Sequence, residues 1–474
     1  MAGAETGIAA VLNWLSLAER ELLLFAGFWM AVGLLDEFAV DMAWLWSKLT
    51  GRARTMRLPR GYGAQPLTGP AAVMIPAFQE GAVIGTTVAH MLQAWPQREL
   101  VVYVGCYRND PATLAAAIEG AASDPRLRIV VHGTDGPTTK ADCLNRLYRA
   151  LCDDEARRGR RFRTVVLHDA EDMVHPAALQ AIDAAIAGHD FVQLPVRPVI
   201  QPESRWIAAH YADEFVESHA KAMVVRNVLG AAIPAAGVGC GFSREALAGL
   251  DHERRREGAL GPFAPECLTE DYELGIALSR EGHRGAFLRL RDADGELVGT
   301  SSCFPARLDA AVRQKTRWIH GIAFQSWDRM GWDLKPLELW MALRDRRGPL
   351  TALVLAAAYL LLVIDAVLAV ASWLGHPHTL VTSPAARWLL AIGLAGVVWR
   401  ATWRAVFTGR EYGLGEGLRA VLRIPLANVI AIMAGRRALL AYFRALRSGK
   451  VAWDKTTHDA HPAAAIKSVQ EARA

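Results

Sequence analysis

The chain has 474 residues, enough for more than one folding unit, and 52% of them are apolar. Mean hydropathy is positive, at +0.15, which is high for a soluble enzyme and implies a chain partly embedded in a membrane. The net charge of only +5 gives no reason to expect a nucleic-acid partner, and none of the six cysteines forms a CxxC or a Cys/His metal spacing.

The opening residues lack a basic start and carry three glutamates before the first apolar run, so no cleavable signal peptide is expected. That run, Leu22–Leu35, predicts a membrane helix continuing to about Trp46. Lys48, Arg52, Arg54, Arg57 and Arg60 follow it. Residues 68–300 then alternate β-rich runs with helical patterns. Strands are expected at Ala72–Ile75, Leu100–Val104, Arg128–His132, Thr164–His168 and Phe191–Leu194, and helices at Ala112–Ala121 and Thr139–Arg157. Such alternation predicts an α/β domain with a mainly parallel sheet, whose ligands bind at the carboxyl ends of the strands.

Several polar clusters fall at those ends. The first strand runs into Ile75-Pro76-Ala77-Phe78-Gln79-Glu80, and the second into Tyr107-Arg108-Asn109-Asp110. Asp110 before Pro111 also suits a helix N-cap. Lys140, Asp142 and Asn145 lie at a helix start, where free N–H groups and an ammonium suit an anion, although a capped helix with exposed polar residues has the same pattern. His168-Asp169-Ala170-Glu171-Asp172 follows the apolar run Val165–Leu167, and carboxylates gathered there suit a hard divalent cation. Thr269-Glu270-Asp271 opens a helix, as an N-cap with an acidic first turn would. In Arg313–Trp327, the i, i+3, i+4 spacing of Gln314, Arg317 and Trp318 places an amide, a guanidinium and an indole on one helix face.

Beyond residue 330 the pattern becomes membranous. Asp333–Arg344, with Leu334, Leu337, Trp340, Met341 and Leu343, reads as an amphipathic helix on the inner surface. Leu350–Leu374 is long enough to span, and Trp388–Trp399 spans if it continues through Phe407 and its flanking arginines snorkel. Arg423–Phe443 reads as a second interfacial helix, with a re-entrant or fourth spanning helix as the alternative. The tail 459–474 has a disordered composition. Clusters of basic residues follow the first helix, precede Leu350–Leu374 and lie beyond the third helix, while the loop 375–386 has no Lys or Arg. The positive-inside rule therefore predicts an external N-terminus and a cytoplasmic stretch 50–345, where reduced thiols are expected. The expected divisions are an N-terminal transmembrane helix (1–50), a cytoplasmic domain (51–330), interfacial helices with two transmembrane helices (331–445) and a cytoplasmic tail (446–474).

Strand-end carboxylates, then Thr-Glu-Asp, then Gln-x-x-Arg-Trp, in this order, resemble the family 2 glycosyltransferases of membrane polysaccharide synthases. Gly33-Leu34-Leu35-Asp36-Glu37, the His-Asp-Ala-Glu-Asp form and Trp453-Asp454-Lys455-Thr456-Thr457-His458 resemble one bacterial subgroup, the inner-membrane transferases typified by phage adsorption protein B and linked to exopolysaccharide production. Longer members carry a C-terminal domain responsive to cyclic di-GMP, and direct regulation of that kind is not expected of these 474 residues.

The resemblance implies a GT-A type α/β fold, with Asp110 near the nucleotide base and Lys140 and Asp142 near the diphosphate and sugar. Asp169, Glu171 and Asp172 would hold magnesium or manganese. Asp271 would be the general base, with Glu270 beside it. Gln314, Arg317 and Trp318 would meet the diphosphate and the acceptor sugar. The implied activity is inverting, metal-dependent transfer from a UDP-sugar to a growing polysaccharide at the bacterial inner membrane, in a multi-pass protein whose catalytic domain is cytoplasmic. The implied partners are a polysaccharide or lipid-linked acceptor, membrane lipids, and an export partner or a second copy, since three spanning helices are few for a channel. Two alternatives stand beside it: single transfer to a lipid carrier, and a non-enzymatic membrane scaffold.

Overall fold

The structure, a computed structural model, describes residues 2–333, 335–376, 383–448 and 461–464. Leu334, the core of the loop 375–386, the Trp453–His458 segment and most of the tail lie outside the described residues.

Apolar residues with no polar alternation make strands that are buried on both faces. This produces a seven-stranded sheet: β1 (Ala71–Pro76), β2 (Leu100–Tyr107), β3 (Leu127–His132), β4 (Thr164–Leu167), β5 (Phe191–Gln193), β6 (Cys240–Ser243) and β7 (Gly285–Phe287), in the spatial order β7-β5-β6-β4-β1-β2-β3. Pairing is parallel except at β6, which runs antiparallel to both β4 and β5. Side chains alternate between two cores. Val73, Ile75, Val102 and Val104 face one, with Met91 and Trp95. Met74, Tyr103, Val165 and Leu167 face the other, with Leu144, Leu147 and Phe242. The expected mainly parallel α/β sheet of GT-A type is therefore present. The five expected strands match β1 to β5 with shifted ends. β6 and β7 were not expected: Cys240-Gly-Phe-Ser and Gly285-Ala-Phe are short, glycine-bearing, and edged by no alternating pattern.

The helices that position the site are α1 (Ala2–Leu49), α2 (Ile84–Ala94), α3 (Lys140–Arg158), α4 (Glu270–Arg280), α5 (Leu308–Ile319), α6 (Pro336–Arg346), α7 (Gly348–Trp373), α8 (Pro384–Tyr412) and α9 (Ile424–Ser448). Among the described residues, four helices are long and apolar enough to cross a membrane: Ala9–Leu49, Gly348–Trp373, Pro384–Tyr412 and Ile424–Arg447. The last differs from the interfacial expectation in length, since α9 is a continuous 25-residue helix. One of its faces is committed to the α/β domain. Ile430 and Ala434 pack on Val312 of α5, and Tyr442 stacks on Phe324 at 4.7 Å. Gly435 meanwhile lies against Ala352 of α7.

A girdle of charge joins α1 to the rest. Glu37 meets Arg344 at 3.0 Å, Arg347 at 2.5 Å and Arg400 at 2.7 Å. Lys221, almost wholly buried, reaches Asp41 at 2.6 Å and Glu217 at 3.0 Å. Removing one partner from such a cluster leaves an uncompensated buried charge, so the girdle fixes how α1, α6 and α8 sit on the domain.

Candidate active site

At the end of β1 the chain turns through Phe78 and Gln79, and Gln79 takes φ 55°, which is uncommon for a residue with a side chain. Asp110 holds that turn. Its Oδ2 accepts the Gln79 N–H at 2.5 Å, and its Oδ1 accepts the Thr113 N–H at 3.3 Å as the N-cap of helix Pro111–Ala121. Asp110 thus braces the strand ends and does not line the cavity described below. Phe78 and Tyr107 do line it, edge to face with their centroids 5.1 Å apart, and the Tyr107 hydroxyl bonds to Thr138 Oγ1 at 2.6 Å.

Thr139 and Asp142 form a capping box at the start of α3. Asp142 Oδ2 accepts from the Thr139 N–H and hydroxyl, at 3.1 and 2.8 Å. Asp142 therefore serves its own helix, while Lys140 projects into the cavity and places Nζ 2.5 Å from Asp169 Oδ1. Burial opposes the charged ammonium, but Asp169, Glu270 and Asp271 outweigh it and raise the Lys140 pKa above its ordinary value.

Within His168–Asp172 the carboxylates divide their work. Asp172 Oδ2 accepts the Asp169 N–H at 2.9 Å and faces His168 Nδ1 at 3.1 Å, while Oδ1 accepts from Ser302 Oγ at 2.6 Å. Asp172 is the buried brace of the loop, and Asp169 and Glu171 are left to face the cavity. Helix α2 grips the loop from behind. Thr87 Oγ1 donates to the Ala170 carbonyl at 2.6 Å, His90 Nε2 bonds to the Val174 carbonyl at 2.9 Å, and Trp95 Nε1 donates to the His175 carbonyl at 3.1 Å. Two hard carboxylates, with phosphate oxygens and water to complete the shell, fit magnesium or manganese. His175, Asp292 and Glu296 also gather within metal-ligand range. There, however, His175 Nδ1 accepts the Ala177 N–H at 3.1 Å, so Nε2 carries the proton and points it at Asp292, 3.3 Å away.

Helix α4 begins at Glu270, and its first turn carries both carboxylates of the Thr-Glu-Asp motif. Asp271 Oδ1 accepts its neighbour's N–H from Tyr272 at 2.8 Å. Its other oxygen faces the bare backbone of Gly237: a Cβ there would lie 2.4 Å from Asp271 Oδ2 and 3.1 Å from Lys140 Nζ, and Gly237 also has φ +73°. Burial, then repulsion from Asp271, pushes the Glu270 carboxyl up to about 7 against the pull of Lys140. Burial likewise raises Asp271, again opposed by Lys140.

On α5, Gln314, Arg317 and Trp318 all line the cavity. The Gln314 Oε1 atom is buried and has no hydrogen-bond partner among the described residues. The Trp318 indole stands edge-on to Tyr211 and Phe304, with centroids 5.9 and 6.3 Å away. The helix continues as a π-helical turn, His320–Gln325, a form frequent at functional sites. There Gly321 passes so close to Thr269 that a Cβ would meet its side chain at 2.5 Å. Gly321 lets the Arg317–Trp318 helix lie directly on the Thr-Glu-Asp turn.

The resulting cavity has a volume of about 560 Å³. Its lining includes the Phe78–Tyr107 pair, Lys140, Asp169 and Asp271, and Trp318, Met341 and Val40 of α1. Nine of the eleven expected site residues line one space, counting Asp172 with its oxygens engaged, and Gln314 with Glu270 beside Asp271; Asp110 and Asp142 do not. Sequence reading missed Gly237, Gly321 and the Phe78–Tyr107 pair. The closely spaced Gly237, Gly239 and Gly241 were the visible signal for the first.

The profile described as "Glycosyltransferase like family 2" matches residues 69–321. The chain belongs to this family. The glycosyltransferase is also 32% identical over 455 residues to bacteriophage adsorption protein B of Escherichia coli K12, covering 91% of this chain and 60% of the relative. The N4 adsorption protein B of Escherichia coli O157:H7 gives the same figures, so the glycosyltransferase spans about 60% of the length of these curated relatives. Among solved structures it is similar to a mannosyltransferase of Pyrobaculum calidifontis in complex with GDP-mannose and Mn2+ (19% identity, TM-score 0.45, covering 83% of this chain and 98% of that one). It is also similar to glucosyl-3-phosphoglycerate synthase of Mycobacterium tuberculosis with Mn2+, UDP and phosphoglyceric acid (18% identity, TM-score 0.35, covering 56% of this chain and 81% of that one).

Proposed function

We propose that this chain is an inverting, metal-dependent glycosyltransferase that moves a sugar from a UDP-sugar to a growing polysaccharide at the bacterial inner membrane, with its catalytic domain on the cytoplasmic side. The observation that carries the reading is the convergence of Lys140, Asp169, Glu171, Asp271, Arg317 and Trp318 on one cavity whose wall includes a membrane-type helix. The family membership supports the reaction class.

In this reading the nucleotide base lies towards Phe78 and Tyr107, and the diphosphate lies beside Lys140 and Arg317. Asp169 and Glu171 hold magnesium or manganese, which when bound neutralises the leaving diphosphate. Asp271 takes the proton from the acceptor hydroxyl. That oxygen attacks the anomeric carbon as the carbon–oxygen bond to the diphosphate breaks, which inverts the configuration in one displacement. Gly237 keeps the space in front of Asp271 clear. The Trp318 face offers a floor to the apolar side of an acceptor ring.

The presence of Val40, from a membrane-type helix, and of Met341 in the cavity wall favours an acceptor delivered along the membrane, so transfer of one sugar to a lipid carrier is the second reading. UDP release is the test. The purified protein in membranes, offered a panel of UDP-sugars with manganese or magnesium, is expected to release UDP with one donor and to lose that release in Asp271→Asn. No release with any donor would favour a non-catalytic scaffold. The length of the product separates polymer growth from single transfer.

A further inference from the structure

The metal loop has a support that no motif announces. Near the end of the chain, His461–Ala464 returns to the catalytic domain, and His461 is buried to 7% exposure against α2. The His461 Nε2 atom lies 3.1 Å from Thr87 Oγ1, and Nδ1 accepts the Ala463 N–H at 3.1 Å. A neutral imidazole with an occupied Nδ1 acceptor carries its proton on Nε2. Burial, then the nearby His90, lowers the His461 pKa to about 4, so the ring is neutral at ordinary pH. The bond direction follows. His461 Nε2–H donates to the Thr87 oxygen, and the single Thr87 hydroxyl hydrogen goes to its shortest acceptor, the Ala170 carbonyl at 2.6 Å. The other acceptor within reach, the Val83 carbonyl of the same helix, is 3.3 Å away. Ala170 is the residue between Asp169 and Glu171. The last described segment of the chain is thus connected by two oriented hydrogen bonds to the peptide that spaces the two carboxylates.

We propose that His461 is a positioning residue: seated behind the metal loop, it fixes the Ala170 carbonyl through Thr87 and so sets the spacing of Asp169 and Glu171 for a divalent cation. This rests on the transferase reading above. A carbonyl held from behind fixes the peptide plane that joins Ala170 to Glu171, and with it the direction in which the chain leaves Asp169 for Glu171. Hydrogen bonds in such a chain also strengthen one another.

The test is Mn2+ binding by the full chain in detergent with UDP present, followed by the electron paramagnetic resonance signal of free Mn2+. The unaltered chain is expected to bind and Asp169→Asn to fail. His461→Ala is expected to weaken binding about tenfold, the low end for groups outside the ligand shell, and His461→Gln, whose amide N–H reaches the same hydroxyl, to stay within about twofold. Thr87→Val should match His461→Ala, and the melting temperatures should not move. Equal affinity in His461→Ala and the unaltered chain, with Asp169→Asn still defective, overturns the inference and leaves the metal site standing. Equal weakening in the Ala and Gln variants with lowered melting temperatures overturns it too, because the tail is then only structural. An unaltered chain that binds no Mn2+ overturns the metal reading and this inference together.

Discussion

Asp271 and Glu270 share one buried turn, and their titration belongs to the pair. Both carboxyls are raised, with Glu270 near 7, so the folded pair keeps a proton that an unfolded chain would release at lower pH. Two consequences share that sign. Transfer should rise as pH climbs through about 7, because the base is freed as the proton leaves, and Glu270→Gln should move the midpoint of the rate profile down by removing the neighbouring charge. The pair's contribution to stability should fall over the same window, from the ordinary carboxylate range up to about 7, because there the folded state binds more protons than the unfolded. Asp271→Asn should lower the transfer rate by about 10²–10⁴-fold, the range of a general base, with little change in donor KM. Gly237→Ala should lower both rate and stability, since a Cβ collides with Asp271 and a left-handed residue with a side chain costs about 1–2 kcal/mol. A melting curve beside UDP-release kinetics checks both. At this scale the chemistry was legible where order in the chain carries meaning: Asp169, Glu171, Asp271, Arg317 and Trp318 follow one another as the family's motifs do. Asp110, Asp142 and Asp172 were less so. A carboxylate at a strand end has the same sequence signature whether it faces a ligand or its own helix amides.

Elements were legible wherever a run was long and unbroken. β1 to β4 and the helices α7 and α8 were visible as apolar stretches, and α5 as a one-sided pattern. α1 was foreseen only in part, because Glu19, Arg20 and Glu21 interrupt its apolar run while leaving the helix itself intact. Contacts between distant elements left no trace in the chain. The clearest is the joint between α4 and α6: Tyr272, the residue after the proposed base, donates to Asp345 Oδ2 at 2.9 Å, and Asp345 takes both guanidinium nitrogens of Arg226 at 2.7 and 2.9 Å. Helix α6 is therefore tied to the turn that holds Asp271. Asp345→Ala leaves the Arg226 guanidinium buried without its counter-ion and should cost about 3–5 kcal/mol, seen as a large fall in melting temperature. Asp345→Asn, which still accepts from Tyr272, should cost less and keep more activity.

For the whole molecule, the governing feature is the girdle of Asp36, Glu37 and Asp41 against Arg344, Arg347, Arg400 and Lys221. It makes the domain and at least three of the long helices one body, so the Val40 wall of the cavity keeps a constant height relative to the apolar stretches. The sequence displayed these charges as a positive-inside pattern, but their pairing with α1 was out of reach because it depends on tertiary approach. In whole vesicles, an impermeant maleimide should label Gly7→Cys from one face and Arg52→Cys from the other. Labelling of both from the same face would remove α1 as a spanning helix.

The length of α1 then takes on a meaning of its own. At 48 residues it is about 72 Å long, more than twice the roughly 30 Å of a hydrocarbon core. Arg20 and Asp36 bracket its longest uninterrupted apolar stretch about 24 Å apart, short of that thickness, and the candidate span reaches back to Ala9. From Glu37 to Leu49 it is a pedestal under the catalytic domain. In the other direction Glu19 is buried at 3% exposure while Val11, Trp14 and Leu17 stay exposed, so the first half of the helix carries the apolar surface on beside α7.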